Sequence, residues 1–315
     1  MNHSADDIRL GIDLGGTKIA VIAMERGGKA LFEARRPTPR GDYAGVISAI
    51  GELIAEAESA LSLPPGRAPT GIGMPGSISP VTGLVQNANS TWLNGRPFHA
   101  DLERALGRPL RLANDANCLA LSEAMDGAAA GARSVFAVIL GTGCGGGLVA
   151  GGRIIAGRNM AGGEWGHNPL PWTRPEEHPG PACWCGRRGC METWVSGPAL
   201  ERDHRMVTGQ ALKGPEIAAV ARAGDAAARA TLERHAERLA RGLAHVVNIF
   251  DPQVMVIGGG LCALPGLFET VPRLMEPWIF ADAPRVDIRP AAHGDASGVR
   301  GAARLWDIAE DDWTF

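Results

Sequence analysis

One pattern occurs twice in this chain and limits what it can fold into. An apolar run of strand length, a glycine-rich turn and a second apolar run appear at residues 8–24 and again at 134–150. The first turn is Leu14-Gly15-Gly16-Thr17-Lys18; the second is the glycine run 141–147, followed by a hairpin through Gly151-Gly152. Short apolar runs bounded by glycine are strand signals. A third strand at about 30–36 makes the first set a β-meander rather than the opening of a βαβ unit. Helical spacing covers 43–61 and ends before Pro64-Pro65-Gly66. Short strands follow at 70–74 and 110–113, then a helix over about 116–130. From Gly197 the chain is helical, most clearly over 225–250. A buried strand at 253–257, a strand at 285–290 and a helix at 296–309 close it. Two related α/β domains facing a cleft are expected. The split falls near 117: residues 1–117 with the last helix, about 296–315, against 118–295.

Composition excludes several classes. The chain has 315 residues, a net charge of −3, 45% apolar and 21% charged residues. That balance gives no electrostatic case for nucleic acid or an anionic membrane. No apolar run reaches the roughly 18 residues of a membrane span. The first residues, Met-Asn-His-Ser-Ala-Asp-Asp, are polar and do not read as a signal peptide, so a cytoplasmic protein is expected.

The glycine turns read as phosphate cradles. Asp13, Gly15, Gly16, Thr17 and Lys18 place an acid, two glycines, a hydroxyl and an amine in one tight turn. Glycines let backbone N–H groups approach phosphate oxygens, and an aspartate can hold Mg²⁺ through water. The order Gly-Thr-Lys before a strand is not that of a Walker A loop, which needs Gly-Lys-Ser/Thr before a helix. A plain β-turn is the competing reading. Gly141, Thr142 and Gly143 open the second loop, which matches G-x-G-x-x-G. The run Leu148-Val149-Ala150 after it is too short for the helix that a dinucleotide fingerprint must open. Gly258-Gly259-Gly260, after a strand, is a third point of close approach.

Two further groups carry chemistry. Asn114-Asp115-Ala116-Asn117 sits where a strand ends and a helix begins. There Asp115 is either a helix cap or a general base for an attacking hydroxyl. Gly163-Glu164-Trp165-Gly166-His167 and Cys183-Trp184-Cys185-Gly186-Arg187-Arg188-Gly189-Cys190-Met191-Glu192 hold one His and three closely spaced Cys, a tetrahedral zinc set. In a long chain read as cytoplasmic, such a cluster is metal before disulfide. The other cysteines, Cys118, Cys144 and Cys262, read as small buried hydrophobes. The long insert 174–181 contains His178, a rival for the fourth ligand. Glu164 and Glu192 flank the ligands; they are either ordinary surface acids or, beside metal ligands, acceptors of hydrogen bonds from vicinal hydroxyls.

These motifs, in this order, resemble the ROK family of bacterial sugar kinases and repressors. The likeness covers nearly the whole chain. Within the family, the stretches 75–80, 86–95 and 166–172 are most similar to bacterial fructokinases of the manno(fructo)kinase type. The resemblance implies an actin-like, ribonuclease-H-like pair of α/β domains with ATP in the cleft. It implies Asp115 as catalytic base, and Asn114, Glu164, His167 and Glu192 as sugar ligands, with Gly76 and Asn89 as weaker candidates. It implies structural zinc on His167, Cys183, Cys185 and Cys190, with Mg²⁺ held through water by Asp13 and Asp115, and a homodimer. The function expected is ATP-dependent phosphorylation of a hexose, D-fructose first and mannose second. Glucose and N-acetylglucosamine are the alternatives. A sugar-responsive repressor is disfavoured, since no basic recognition helix is present.

Overall fold

The computed structural model describes residues 7–310. The polar start at 1–6 and the final residues 311–315 of the expected last helix lie outside them. The chain forms β1 (Ile8–Leu14), β2 (Lys18–Glu25), β3 (Ala30–Pro37), α1 (Tyr43–Ala60), β4 (Thr70–Met74), β5 (Ser77–Ile78), β6 (Val85–Gln86) and α2 (Phe98–Leu106). Next come β7 (Leu110–Asn114), α3 (Asp115–Met125), β8 (Ser134–Leu140), β9 (Cys144–Ala150) and β10 (Arg153–Ile154). Helices follow: α4 (Glu192–Val195), α5 (Gly197–Thr208), α6 (Gly214–Arg222) and α7 (Ala226–Phe250). The chain closes through β11 (Val254–Gly258), α8 (Leu267–Met275), β12 (Ile288–Pro290) and α9 (Ser297–Arg304). Among the described residues no helix is long and apolar enough to cross a membrane.

Two compact units result. The first comprises the described residues as far as Gly131, Gly147–Gly162 and those from Asp295 on; the second comprises Ala132–Gly146 and Gly163–Gly294. The expected division after residue 117 is therefore displaced. Helix α3 stays with the first unit because it packs on α9. That contact is backbone-close: a Cβ on Gly301 of α9 would run into the carbonyl of Cys118. A second departure is that the chain returns to the first unit along β9.

The first unit is built on a sheet of order β3-β2-β1-β4-β7. β1 pairs antiparallel with β2, Leu14 opposite Ile19, and parallel with β4; β4 pairs parallel with β7. β1 and β4 are buried along almost their whole length, whereas edge strand β3 alternates between exposed and half-buried positions. That is the expected difference between a strand covered on both faces and an edge. At the centre of the sheet Leu10, Ile12 and Ile72 are fully buried, in one core with Val46, Ile50 and Leu53 of α1. On the other face α9 lies close to the sheet, because Gly71 has no side chain to meet the carbonyl of Ala302.

The second unit has the order β9-β8-β11-β12, β9 contributing Cys144–Gly146; the later part of β9 and β10, with Arg153 opposite Ala150, belong to the first unit. β11 pairs parallel with both β8 and β12. Helix α7 is long because its apolar stripe runs through Leu239, Leu243 and Val246, and Asp225 caps its start by accepting from the N–H of Ala228. Local limits differ from the sequence reading in three places. Helix α3 stops at Met125, five residues early, because Asp126 leaves the helix to pair with Arg300 and Arg304. The last helix gives way after Arg304 to a 3₁₀ turn, Leu305–Asp307. β12 keeps only three residues of the expected strand.

Candidate active site residues

In the first unit the chemistry gathers at the ends of β1 and β7. Asn114 caps α3: its Oδ1 accepts the N–H of Ala116 at 2.9 Å, and its Nδ2 donates to the carbonyl of Gly76 at 3.3 Å. The cap is thus Asn114, not Asp115, which is the first helical residue and receives the same N–H at 2.8 Å. Burial pushes the Asp115 carboxyl above its ordinary range, against the hydrogen bonds from Ala116 and Asn114. Asp13, at the end of β1, is raised from 3.8 to about 7, first by burial and then by the charge of Asp115; Lys18 opposes this and Asp295 adds to it. Lys18 Nζ lies 3.6 Å from Asp295. A half-buried pair of carboxylates that repel each other is a donor set suited to a hard divalent cation. Asp295 belongs to this group and was missed in the sequence, since it lies far along the chain beside α9.

The turn from Gly15 to Lys18 is held from behind. The N–H of Gly15 donates to the carbonyl of Lys18 at 2.9 Å, and the Thr38 hydroxyl donates to the carbonyl of Gly15 at 2.7 Å. The glycines of the three expected cradles are not equivalent. At Gly16 a Cβ would meet nothing closer than the Ser90 hydroxyl at 3.8 Å, and at Gly141 and Gly260 it would meet nothing within 4 Å. The fold does not demand glycine there, which fits approach by an outside group. Gly143 and Gly259 are occupied from within: a Cβ on Gly143 would stand 2.7 Å from Glu192 Oε2, and one on Gly259 would collide with the carbonyl of Leu140.

Gly76 and Asn89 belong to the loop that Asn114 anchors. Gly76 has φ +72° and packs against the backbone of Gln86 and Ala88, so its smallness serves the loop itself. Asn94 closes the loop on Ala88, accepting its N–H and donating to its carbonyl, both at 2.9 Å. Asn89 is exposed.

In the second unit His167, Cys183, Cys185 and Cys190 converge, their ligand atoms all within 4.8 Å of one another. Cys183 Sγ is 3.6 Å from His167 Nδ1, and Cys185 Sγ is 3.7 Å from Cys190 Sγ. Both distances match the ligand–ligand edges, about 3.6–3.8 Å, of a tetrahedral site with metal–sulfur bonds near 2.3 Å. His178, exposed on the insert, is not in this group. The knot is made by a tight turn, in which Gly186 donates to the carbonyl of Cys183 and Cys183 to that of Arg187. The segment bearing Glu164 and His167 is seated on the start of β9. Trp165 Nε1 donates to the carbonyl of Gly145 at 3.2 Å, and Gly166 lies flush against the carbonyl of Cys144. Glu164 is half-buried. Glu192 accepts from the N–H of Cys144 at 3.0 Å and from Trp184 Nε1 at 2.8 Å. Neither partner was singled out as functional in the sequence, although Trp184 stands inside the Cys-x-Cys pair. Cys118 and Cys144 are buried as expected; Cys262 is only half-buried.

Insert 174–181 is fastened by Glu177, which is 5% exposed. Arg241 donates to both its oxygens at 2.7 and 2.9 Å, and Arg238 adds a bond at 3.1 Å. Burial works to raise the Glu177 carboxyl, but Arg241, the backbone of Arg174 and Arg238 outweigh it and hold it at about 2.

Two α/β units, each with a glycine hairpin and a parallel run of strands, one of them carrying a Cys/His knot, define an actin-like ATPase-type fold of the sugar-kinase class. The ROK family model matches residues 9–308. The N-acetyl-D-glucosamine kinase of Escherichia coli O6:H1 is 41% identical over 303 residues, covering 94% of this chain and 98% of its own. The ROK hexokinase from Thermus thermophilus superposes with a TM-score of 0.82 at 35% identity, covering 94% of this chain and 96% of that one. A ROK family glucokinase from Streptomyces griseus, solved in complex with glucose and AMPPNP, gives 0.78 at 28% identity over 95% and 98%. The chain belongs to the ROK family and is one of its sugar kinases.

Proposed function

We propose that this chain transfers the γ-phosphoryl group of ATP to a hexose, and that the hexose is D-fructose, giving fructose 6-phosphate, with mannose as a second substrate. The choice of sugar rests on the likeness of the stretches 75–80, 86–95 and 166–172 to fructokinases, and the fastening of the 76–95 loop supports its role at the site. Asn114 holds Gly76, and Asn94 holds the loop closed on Ala88. The stretch that resembles fructokinases is thereby fixed one residue from Asp115.

Asp115 takes the proton of the attacking hydroxyl. Its neighbour Asn114 does the capping, and its raised pKa brings it closer to the working pH of a general base. Glu164, His167 and Glu192 accept or share hydrogen bonds with sugar hydroxyls; His167 does so through Nε2, since its Nδ1 faces Cys183. Asn114 is a further sugar ligand beside Asp115, and Gly76 and Asn89 make lesser contacts. The turns formed by Gly15, Gly16, Thr17 and Lys18, by Gly141, Thr142 and Gly143, and by Gly258, Gly259 and Gly260 bind the phosphates, while the N–H groups of Gly15 and Gly141 close their own turns. Asp13 and Asp115 would hold Mg²⁺ through water, and the ion, when bound, offsets phosphate charge. His167, Cys183, Cys185 and Cys190 would hold a structural zinc that fixes the loop between Glu164 and Glu192.

A second reading, N-acetylglucosamine as acceptor, is favoured by the name of the relative at 41% identity. A coupled assay of ADP release with fructose, mannose, glucose and N-acetylglucosamine separates the two. Fructose is expected to give the highest kcat/KM. If N-acetylglucosamine or glucose ranks first, the fructose reading falls; ADP release with no hexose at all overturns the kinase proposal.

A further inference from the structure

Glu192 is held at both ends of its carboxylate by its own unit. Oε2 accepts the backbone N–H of Cys144 at 3.0 Å, and Oε1 accepts the indole N–H of Trp184 at 2.8 Å. Trp184 lies between Cys183 and Cys185, and its ring stands edge-on to His167, with centroids 5.0 Å apart and planes at 84°. The residue is 54% exposed. The turn that shapes the knot is closed by backbone bonds of Cys183, Gly186 and Arg187, which any side chain at 184 would permit. The core has no need of a tryptophan here. What the indole supplies is one N–H to Glu192 and one edge against a metal-ligating histidine.

We propose that Trp184 is a positioning residue for sugar recognition: it ties the metal knot to Glu192 and sets the plane of that carboxylate. The inference rests on the reading of Glu192 as a sugar ligand. The last torsion of a glutamate is broad, so a single donor at Oε2 leaves the carboxylate plane free to turn. A second donor at Oε1 fixes it. A carboxylate offers about four acceptor directions, so two donors leave roughly two for vicinal hydroxyls. N–H bonds to an ionised carboxylate are among the stronger ones, so the constraint is worth an observable share of sugar affinity. Because residue 184 sits between two ligand cysteines, the indole is in place only while the knot is closed. Sugar binding then depends on metal occupancy through this side chain.

The test compares Trp184→Phe, Glu192→Ala and the double variant with the wild-type enzyme. Phenylalanine keeps a ring beside His167 and removes only the N–H. Four quantities are read: sugar KM, ATP KM, zinc per chain by a chromogenic chelator after unfolding, and sugar affinity by calorimetry without ATP. Trp184→Phe is expected to keep about one zinc per chain. Its ATP KM should stay within about twofold, while sugar KM and Kd rise about tenfold, the effect of one charge-assisted bond. In the double variant the loss should be no greater than in Glu192→Ala alone. Unchanged sugar affinity in Trp184→Phe, when Glu192→Ala weakens it, overturns the positioning role. So do additive losses in the double variant. Loss of zinc from Trp184→Phe also overturns it, since the ring then serves the knot and not the carboxylate. Unchanged sugar affinity in Glu192→Ala overturns the reading of Glu192 itself, and the inference with it.

Discussion

Replacing Asp13 by Asn is expected to abolish turnover and yet make the magnesium-free protein more stable at pH 8. The unfolded carboxyl titrates near 3.8 and the folded one near 7, because burial and the neighbouring Asp115 disfavour its charge. Between those pH values the folded chain keeps a proton that the unfolded chain has released. That preference for the folded state is complete below 3.8 and is lost as pH rises through 7. At about 1.4 kcal/mol per tenfold change in proton affinity, the loss is about 4 kcal/mol. Asparagine is neutral throughout and does not suffer it. The stability gap between variant and wild type should therefore open from near zero at acid pH to about 4 kcal/mol above pH 7.5. For a unit of this size each kcal/mol shifts Tm by about 2–4 °C, so a difference on the order of 10 °C is expected. Thermal unfolding followed by circular dichroism at several pH values, with no added magnesium, measures it. Adding magnesium should raise the wild-type Tm and leave the variant where it was. A gap that stays constant with pH, or a variant less stable than wild type at pH 8, would refute the reasoning from a repelling pair of carboxylates.

Asp115→Asn should lower kcat by about 10²–10⁴-fold with Tm and metal content retained; residual turnover close to wild type would remove the base assignment. Cys183→Ser should lose bound zinc and weaken sugar binding. A near-stoichiometric zinc analysis in that variant would point to other ligands. Glu177→Gln should destabilise the second unit by about 3 kcal/mol at neutral pH, the value of a carboxyl held at about 2 instead of 4.5. The depressed carboxyl contributes fully above pH 4.5, and its contribution fades as pH falls toward 2. Urea unfolding at pH 7 and pH 3 measures the difference, which should shrink at the lower pH.

Much of the fold was legible because its signals are local. The hairpin of β1 and β2 around Gly15-Gly16 is spelled in adjacent residues, and the Cys-x-Cys turn of the knot is likewise short-range. Misplaced limits came where a distant partner decides. Helix α3 ends at Met125 because Asp126 is claimed by Arg300 and Arg304, more than 170 positions on. Insert 174–181 read as a departure from the family pattern; nothing near it announces that Glu177 lies under Arg241, 64 residues away. In the site, the clustering of Cys183, Cys185 and Cys190 was legible from spacing, whereas Asn114 as the cap, and the consequent release of Asp115 from that duty, is decided only in the folded chain.

By itself, then, the sequence determined the two glycine hairpins, the grouping of His167 with Cys183, Cys185 and Cys190, and membership of a family, since each rests on residue type and short spacing. The tertiary structure alone decided three things. It moved α3 into the first unit, through a glycine that lets α9 touch its backbone. It separated Gly16, Gly141 and Gly260, which face open space, from Gly143 and Gly259, which are small because protein atoms crowd them. It also joined Trp184 to Glu192, turning a residue between two cysteines into a support for a carboxylate. These depend on which atoms meet after the chain has packed, and spacing along the chain carries no record of that.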